Sequence, residues 1–412
     1  MLEQNLLKAK EAGTALAQTK TAQRNDILTV MAGLVRERTP VILQANQLDL
    51  VHAEESGLDT PRANRLKLSS DKLASLTSGL LAVAGLPDPL GGGRRWTLPN
   101  GLVLEQIHVP LGVIGLIYES RPGVTIEAVS LALKSGNSIL LRGGREAQHT
   151  NRVLADLWQE ALHSLGLSPS AVQLLDDPDR SLARELMHLS GLDLLIPRGG
   201  ASLIRTVVEE ATVPVIETGV GNCHLYVDAA ADLDMAVKIL LDGKMGNPSV
   251  CNALETVLIH EDVKDAFLPR ASEVLKQYGV AWHGDAAVLD LVPGAVLATE
   301  EDWLTEYLGL HLAARVVGSL DEAIEHIRRY GSSHSESIVT NHYPTGQRFL
   351  AAVDAAVVYW NASTRYSDGN EFGFGAEVGI STQKLHARGP MGLDALTTIK
   401  TVAFGSGQTR DF

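Results

Sequence analysis

A thiol at position 251 lies in the stretch GNPSVCNALET, residues 246 to 256, and is one of only two in a chain of 412 residues. Gly246 and Pro248 predict irregular backbone just ahead of Cys251, and the apolar run ETVLIH after it predicts a strand. A cysteine on such a loop is accessible, its thiolate is a nucleophile, and nearby backbone N–H groups can hold an oxyanion. The competing reading is packing, the commonest use of a free cysteine. The second cysteine, Cys223 in VGNCHLYVD, opens an apolar strand and reads as packing. It makes no catalytic pair with His224, because neighbours on a strand point to opposite faces.

Other stretches suggest binding. RGG occurs at 142–144 and again at 198–200. Gly199 and Gly200 stand where a strand hands over to a helix, whose first N–H groups suit a phosphate; an ordinary turn reads the same way. No G-x-G-x-x-G follows the first strand of the α/β region. Arg142 and Arg145 end another strand and are compatible with holding a 2′-phosphate or with solvated surface charge. Glu217 and Glu306 each follow apolar residues and read either as buried carboxylates or as solvated acids. In WNASTRYSDG, residues 360 to 369, Asn361, Ser363, Thr364 and Arg365 offer hydrogen bonds to a small polar acid, with the guanidinium suited to a carboxylate. A turn closed by its own side chains is the alternative. His326, His334 and His386 lack metal-ligand spacing, so no metal is expected.

These residues need a scaffold. Residues 1 to 90 repeat apolar positions three and four apart and predict helices. The runs flanking PNG at 99 to 101 predict a hairpin, too small to stand alone. From 112, strands such as GVIGLIY, NSILLRG, AVQLL, LDLLIPRG and PVIETG alternate with helical patterns. This predicts a parallel sheet covered by helices, with ligands beyond the strands' carboxyl ends. A second α/β region follows from about 223 to 360.

Composition narrows the partners. Thirty-five basic residues against 49 acidic ones give a net charge of -14, which disfavours nucleic acid. No apolar run approaches membrane length and the start lacks a secretory pattern, so a cytoplasmic location with reduced thiols is expected.

Taken together, PLGVIGLIYESRPGVTIEA, SGNSILLRGGREAQHTN, LLIPRGGASLI, VIETGVGNCHLYVD, NPSVCNALET, AIEHIRRYGSSHSESI and the stretch from NASTRYSDG through GLDALTT resemble the aldehyde dehydrogenase superfamily. Within it the chain resembles the gamma-glutamyl phosphate reductases, end to end. The resemblance implies an α/β fold of aldehyde dehydrogenase type. A Rossmann-type NADPH-binding domain would take residues 1–95 and 112–234, and a catalytic α/β domain 235–395. A small β flap for oligomerisation, 96–111 with 396–412, would make the chain a homo-oligomer. It also implies NADPH-dependent reduction of L-glutamyl 5-phosphate to glutamate 5-semialdehyde through a Cys251 thioester, in proline biosynthesis, with glutamate 5-kinase as a candidate partner. By position, Arg142, Gly143, Gly199, Gly200 and Glu306 fall to the cofactor. Arg121, in ESRPG, falls to the substrate's phosphate or carboxylate, with Asn361, Ser363, Thr364 and Arg365 beside it. Glu217 stands where hydrolytic relatives keep a water-activating base, which a reductase does not need. An oxidising aldehyde dehydrogenase with another substrate is the alternative; Arg121 and NASTRYSDG speak against it.

Overall fold

The structure is a computed structural model that describes residues 1–176 and 180–410. The chain forms two compact units. The first runs Met1–Thr218 and adds Gly373–Gly379 and the stretch from Met391. The second runs Gly219–Phe372 and adds Ile380–Pro390.

In the first unit, five helices, Leu2–Ala17, Thr21–Glu37, Thr39–Glu55, Thr60–Leu66 and Ser70–Gly85, occupy the region of helical periodicity. The last begins where the sequence supplies a cap: Ser69 accepts from Lys72 N–H, satisfying an amide that the helix leaves open. A parallel sheet follows in the order Val172–Leu174, Ser138–Gly143, Val113–Tyr118, Leu194–Arg198. The two central strands are buried along nearly their whole length, as expected when helices cover both faces. On one face Val113, Ile117, Leu140 and Leu195 pack with Leu2, Leu6 and Val207. PVIETG does not extend this sheet as a strand. Only a bridge forms, Val215 opposite Leu195, with Leu195 N–H donating to Pro214 O. Pro214 has no N–H with which to continue a ladder.

The stretch PNG does turn a hairpin. Leu98 N–H donates to Leu102 O, Gly101 sits at φ 85°, and Arg95–Thr97 pairs antiparallel with Val103–Pro110. The tail strand Thr397–Phe404 then pairs with Val103–Pro110 along eight residues, a third strand that relieves the marginal stability of an isolated hairpin.

The second unit is built on seven parallel strands in the order Val296–Leu297, Ala281–Gly284, His311–Val317, Leu254–His260, Cys223–Val227, Ser335–Val339, Val357–Trp360. Alternation along the strands sorts the core. Leu225, Val257, Ile259 and Leu312 meet Phe267 and Leu240 on one face. Tyr226, Leu258 and Ile338 meet Phe349 and Ile327 on the other. Between Cys223–Val227 and Leu254–His260 the register slips at the start: Cys223 faces Leu254, and His224 faces Thr256. This bulge leaves Glu255 opposite no residue, next to the segment that carries Cys251. No helix among the described residues is long and apolar enough to cross a membrane.

Candidate active site

Cys251 is half-buried, outside any disulfide, in a tight turn closed by Ala253 N–H donating to Val250 O at 3.1 Å. The next two carbonyls are also held. Cys223 Sγ donates to Cys251 O at 3.3 Å, and Thr364 Oγ1 donates to Asn252 O at 2.7 Å. The Asn252 side chain fastens the turn to the polar loop after Trp360. Its Nδ2 donates to Ser367 O at 2.9 Å and to Arg365 O at 3.2 Å, and its Oδ1 accepts from the Arg365 guanidinium. The structure thus brings Thr364 and Arg365 to the thiol's own segment.

The rest of that loop is occupied with holding its shape. Asn361 sits at φ 57°, accepts from Thr340 N–H at 2.9 Å and donates to Thr340 O at 3.1 Å. Ser363 caps the short helix that follows, accepting from Arg365 N–H at 3.2 Å. Of the four polar residues singled out here, Arg365 carries the charge suited to an acidic substrate.

Two glycines and two buried ions shape the other side of the turn. A side chain at Gly221 would place its Cβ 1.5 Å from Cys251 O, so only glycine permits this approach. Gly221 N–H in turn donates to Glu306 Oε1 at 2.7 Å. A Cβ at Gly246 would lie 3.2 Å from Arg365 Nε. The bulged Glu255 pairs with Lys244 at 2.6 Å, both fully buried, and accepts from Leu308 N–H at 3.1 Å. Burial pushes the Glu255 carboxyl up to about 7 against the pull of Lys244, and it lowers Lys244. Ser249 Oγ donates to Leu308 O at 3.2 Å, so Glu306 to Leu308 brace the turn at three points.

His224 has the partner that its sequence neighbours did not reveal. Its ring Nδ1 lies 3.0 Å from Glu336 Oε2, and both side chains are fully buried. The signal lay 112 residues away, on the adjacent strand.

In the first unit, the register sets Tyr118 beside both Gly143 and Arg198. The segments Glu119–Arg121, Gly143–Arg145 and Gly199–Gly200 therefore leave one edge of the sheet together. Gly143 and Gly144 line a small, open hollow with Arg145, Gln148, Asn151, Leu174, Leu175 and Asp176. A Cβ at Gly143 would fall 2.2 Å from Asn151 Nδ2. Asn151 is 1 % exposed; its Oδ1 accepts from Thr125, while its Nδ2 has no hydrogen-bond partner among the described residues. A glycine wall, a buried amide donor and the exposed Arg145 offer contacts suited to a phosphate of a nicotinamide cofactor. Arg142 is placed differently: it is 8 % exposed and donates to Gly143 O at 2.9 Å.

Two carboxylates of the chain already meet amides at this edge. Glu119 Oε2 accepts from Gly200 N–H at 3.1 Å, at the start of helix Ala201–Glu210. Glu146 Oε1 accepts from the Ser120 N–H at 2.6 Å and hydroxyl at 2.8 Å, steadying a residue at φ 45°. Sequence reading missed Glu119, whose signal was its place directly after the central strand. Arg121 is half-buried and lies, like Glu127, within electrostatic reach of Lys72. Glu217 is half-buried and follows Ile216, whose N–H donates to Leu195 O. Among the described residues, no three or more His, Cys, Asp or Glu side chains form a group able to hold a metal ion.

Comparison with known proteins supplies the family. Residues 2–293 match the model of the aldehyde dehydrogenase family. A gamma-glutamyl phosphate reductase of Moorella thermoacetica is 53% identical over 98% of this chain and 97% of its own length. One from Enterococcus faecalis is also 53% identical, with the same coverage of both chains. The crystal structure of gamma-glutamyl phosphate reductase from Thermotoga maritima superposes with a TM-score of 0.96 at 45% identity, covering 100% of both chains. The chain therefore belongs to the aldehyde dehydrogenase family of oxidoreductases and, within it, to the gamma-glutamyl phosphate reductases.

Proposed function

We propose that the enzyme reduces L-glutamyl 5-phosphate to L-glutamate 5-semialdehyde and inorganic phosphate, with NADPH, as a step of proline biosynthesis. The observation that carries this is end-to-end identity of 53% with proteins named for that reduction. The half-exposed thiol at 251, in a turn braced on three sides, suits the chemistry.

Cys251 is the nucleophile of this mechanism. Its sulfur adds to the acyl carbon, the acyl–phosphate bond breaks, and phosphate leaves, so that a thioester remains. The bound cofactor supplies the hydride. Once the thioester carbonyl is reduced, the resulting thiohemiacetal breaks its carbon–sulfur bond and gives the aldehyde and the thiol. Dividing the reduction between a covalent step and a hydride step lowers the barrier to each. Arg365, anchored on Asn252, meets a carboxylate of the substrate, and Arg121 its phosphate or carboxylate. Asn361, Ser363 and Thr364 keep the loop of Arg365 in shape.

For the cofactor, Gly143, Gly199 and Gly200 present backbone to its phosphates, Arg145 favours NADPH over NADH, and Arg142 steadies Gly143 beside it. Glu306 reaches the nicotinamide ribose. Glu217 has no duty in a reductase beyond structure or tuning. The chain works in the cytoplasm as a homo-oligomer whose contacts include the β flap of 96–111 with the tail strand. Glutamate 5-kinase is the neighbour that would hand over a labile acyl phosphate.

The test is a coupled assay with glutamate, ATP and the kinase, following NADPH oxidation with wild type and Cys251→Ala. Turnover should vanish in the variant. Undiminished turnover, or a preference for NADP-linked oxidation of simple aldehydes, rejects the reading.

A further inference from the structure

The two cysteines, 28 residues apart in sequence, meet: Cys223 Sγ lies 3.3 Å from the carbonyl oxygen of Cys251 itself. Cys223 is fully buried in an apolar core cluster, and burial, followed by the field of Glu336, holds its thiol well above the ordinary value. It therefore stays protonated and remains a donor. A ring of contacts runs on from it. Cys223 Sγ is 3.7 Å from His334 Nδ1, which is 2.9 Å from Ser335 Oγ. Ser335 Oγ is 2.5 Å from Ser367 Oγ, and the Ser367 carbonyl accepts from Asn252 Nδ2 at 2.9 Å. Tyr359 OH holds Ser367 from a further side at 2.8 Å. The ring begins at the carbonyl of residue 251 and returns to the side chain of residue 252.

We propose that Cys223 is a positioning residue for the reaction, whose thiol orients the peptide between Cys251 and Asn252. That peptide is planar and trans, so its N–H points opposite to its carbonyl. With the carbonyl held inward on Cys223, the Asn252 N–H is directed away from the buried strand. It adjoins the residue that carries the nucleophile. There it donates to the oxygen of the acyl group as negative charge develops in the addition. A donor fixed in advance acts mainly on the transition state rather than on substrate binding. Gly221 belongs to the same device, since its missing side chain lets the 251 carbonyl come inward.

The inference rests on Cys251 being the nucleophile, and its test separates the two. Cys223→Val fills the space without a donor, Cys223→Ala removes the donor with less bulk, and Cys223→Ser keeps a donor. Steady-state kinetics with the acyl phosphate, single-turnover thioester formation and thermal midpoints are measured for each. The valine and alanine variants should lose about 3- to 10-fold in kcat, the worth of one modest hydrogen bond. Their KM values should be unchanged and thioester formation slowed to match. The serine variant should recover most of the loss even if its thermal midpoint falls like theirs. A role in packing alone would instead leave kcat untouched, or make serine as poor as valine; either result overturns the proposal, as does a loss confined to KM. Should the valine variant not fold, alanine against serine decides. Full activity of Cys251→Ala would sink the nucleophile itself, an outcome no Cys223 variant can imitate.

Discussion

The strand ends of the first unit and the thiol turn of the second solve backbone placement in different ways. At the edge formed by Glu119–Arg121, Gly143–Arg145 and Gly199–Gly200, amides meet long, flexible carboxylates: Glu119 on Gly200 and Glu146 on Ser120. Around Cys251 the partners are short or rigid. A buried thiol, a threonine hydroxyl and the backbone of Gly221 act on consecutive peptides. Flexible partners can be displaced by an entering anion at little strain. Rigid ones cannot, and close packing transmits any change to Cys251. The difference suits the roles proposed for the two sites, one admitting a cofactor and the other holding a reacting sulfur.

Glycine substitutions give the widest separation between the two. Gly221→Ala would drive a methyl group into backbone, 1.5 Å from Cys251 O. Overpacking against atoms that cannot rotate aside is destabilising by about 1–3 kcal/mol or more. The expected loss of kcat/KM is at least about 100-fold, since misplacing a reacting group even slightly is severe. Gly200→Ala meets nothing nearer than Glu119 Oε2 at 3.9 Å, at φ -71°. It should change NADPH affinity by less than about threefold, because an alanine there requires neither unusual backbone nor displacement of neighbours. Similar losses from both substitutions would erase the contrast.

Acid tests the second unit as a whole. Burial lowers His334 to about 4 and His326 to about 2. As pH falls through 6.5, the unfolded chain takes up protons at these positions while the native one does not. Stability is therefore intact above neutrality and is lost on the acid side. Each histidine should remove about 2 kcal/mol between pH 6.5 and 5. Amide exchange of strands Cys223–Val227 and Ser335–Val339 at the two pH values measures it. Protection that does not change, or that rises in acid, would show that these rings are solvated.

What the sequence made legible follows the range of the interactions. The capped helix after Ser69, the hairpin at PNG and the alternation of buried strands rest on neighbours a few residues apart, and all three formed. The irregular backbone announced by Gly246 and Pro248 ahead of Cys251 is also local. By contrast, the support of Cys251 comes from residues 221, 223, 306, 308, 364 and 367, joined only by the sheet. No spacing rule links Cys223 to Cys251, and its apolar strand made packing the natural reading. The polar density of WNASTRYSDG was visible. That most of it serves the loop's own turns, leaving Arg365 the charge at its centre, required the pairing with Thr340 and Asn252.

The arginines sharpen the comparison within the first unit. Arg145 is exposed and lines the hollow, whereas Arg142 is buried against Gly143 O. If the hollow takes the 2′-phosphate, Arg145→Ala should raise KM for NADPH about 10-fold with little effect on NADH. One charge-assisted hydrogen bond accounts for that factor. Arg142→Ala should instead lower the thermal midpoint and alter both cofactors alike. The reverse pattern would return the 2′-phosphate to Arg142.

Glu119 yields a small effect and the most direct reading of displaceability. Its carboxylate sits on the Gly200 amide, at the positive end of helix Ala201–Glu210. There a negative charge is favourable in the absence of ligand, by about 0.3–1 kcal/mol. An entering phosphate must compete with that charge for the amide. Glu119→Gln keeps the shape and an acceptor oxygen but removes the charge. It should tighten NADPH binding about two- to fivefold by fluorescence titration, and the gain over wild type should shrink as ionic strength rises, since the repulsion removed is one that salt screens. Weaker binding in the glutamine variant would mean that Glu119 assists the cofactor. The first unit's edge would then hold its partners as firmly as the thiol turn does.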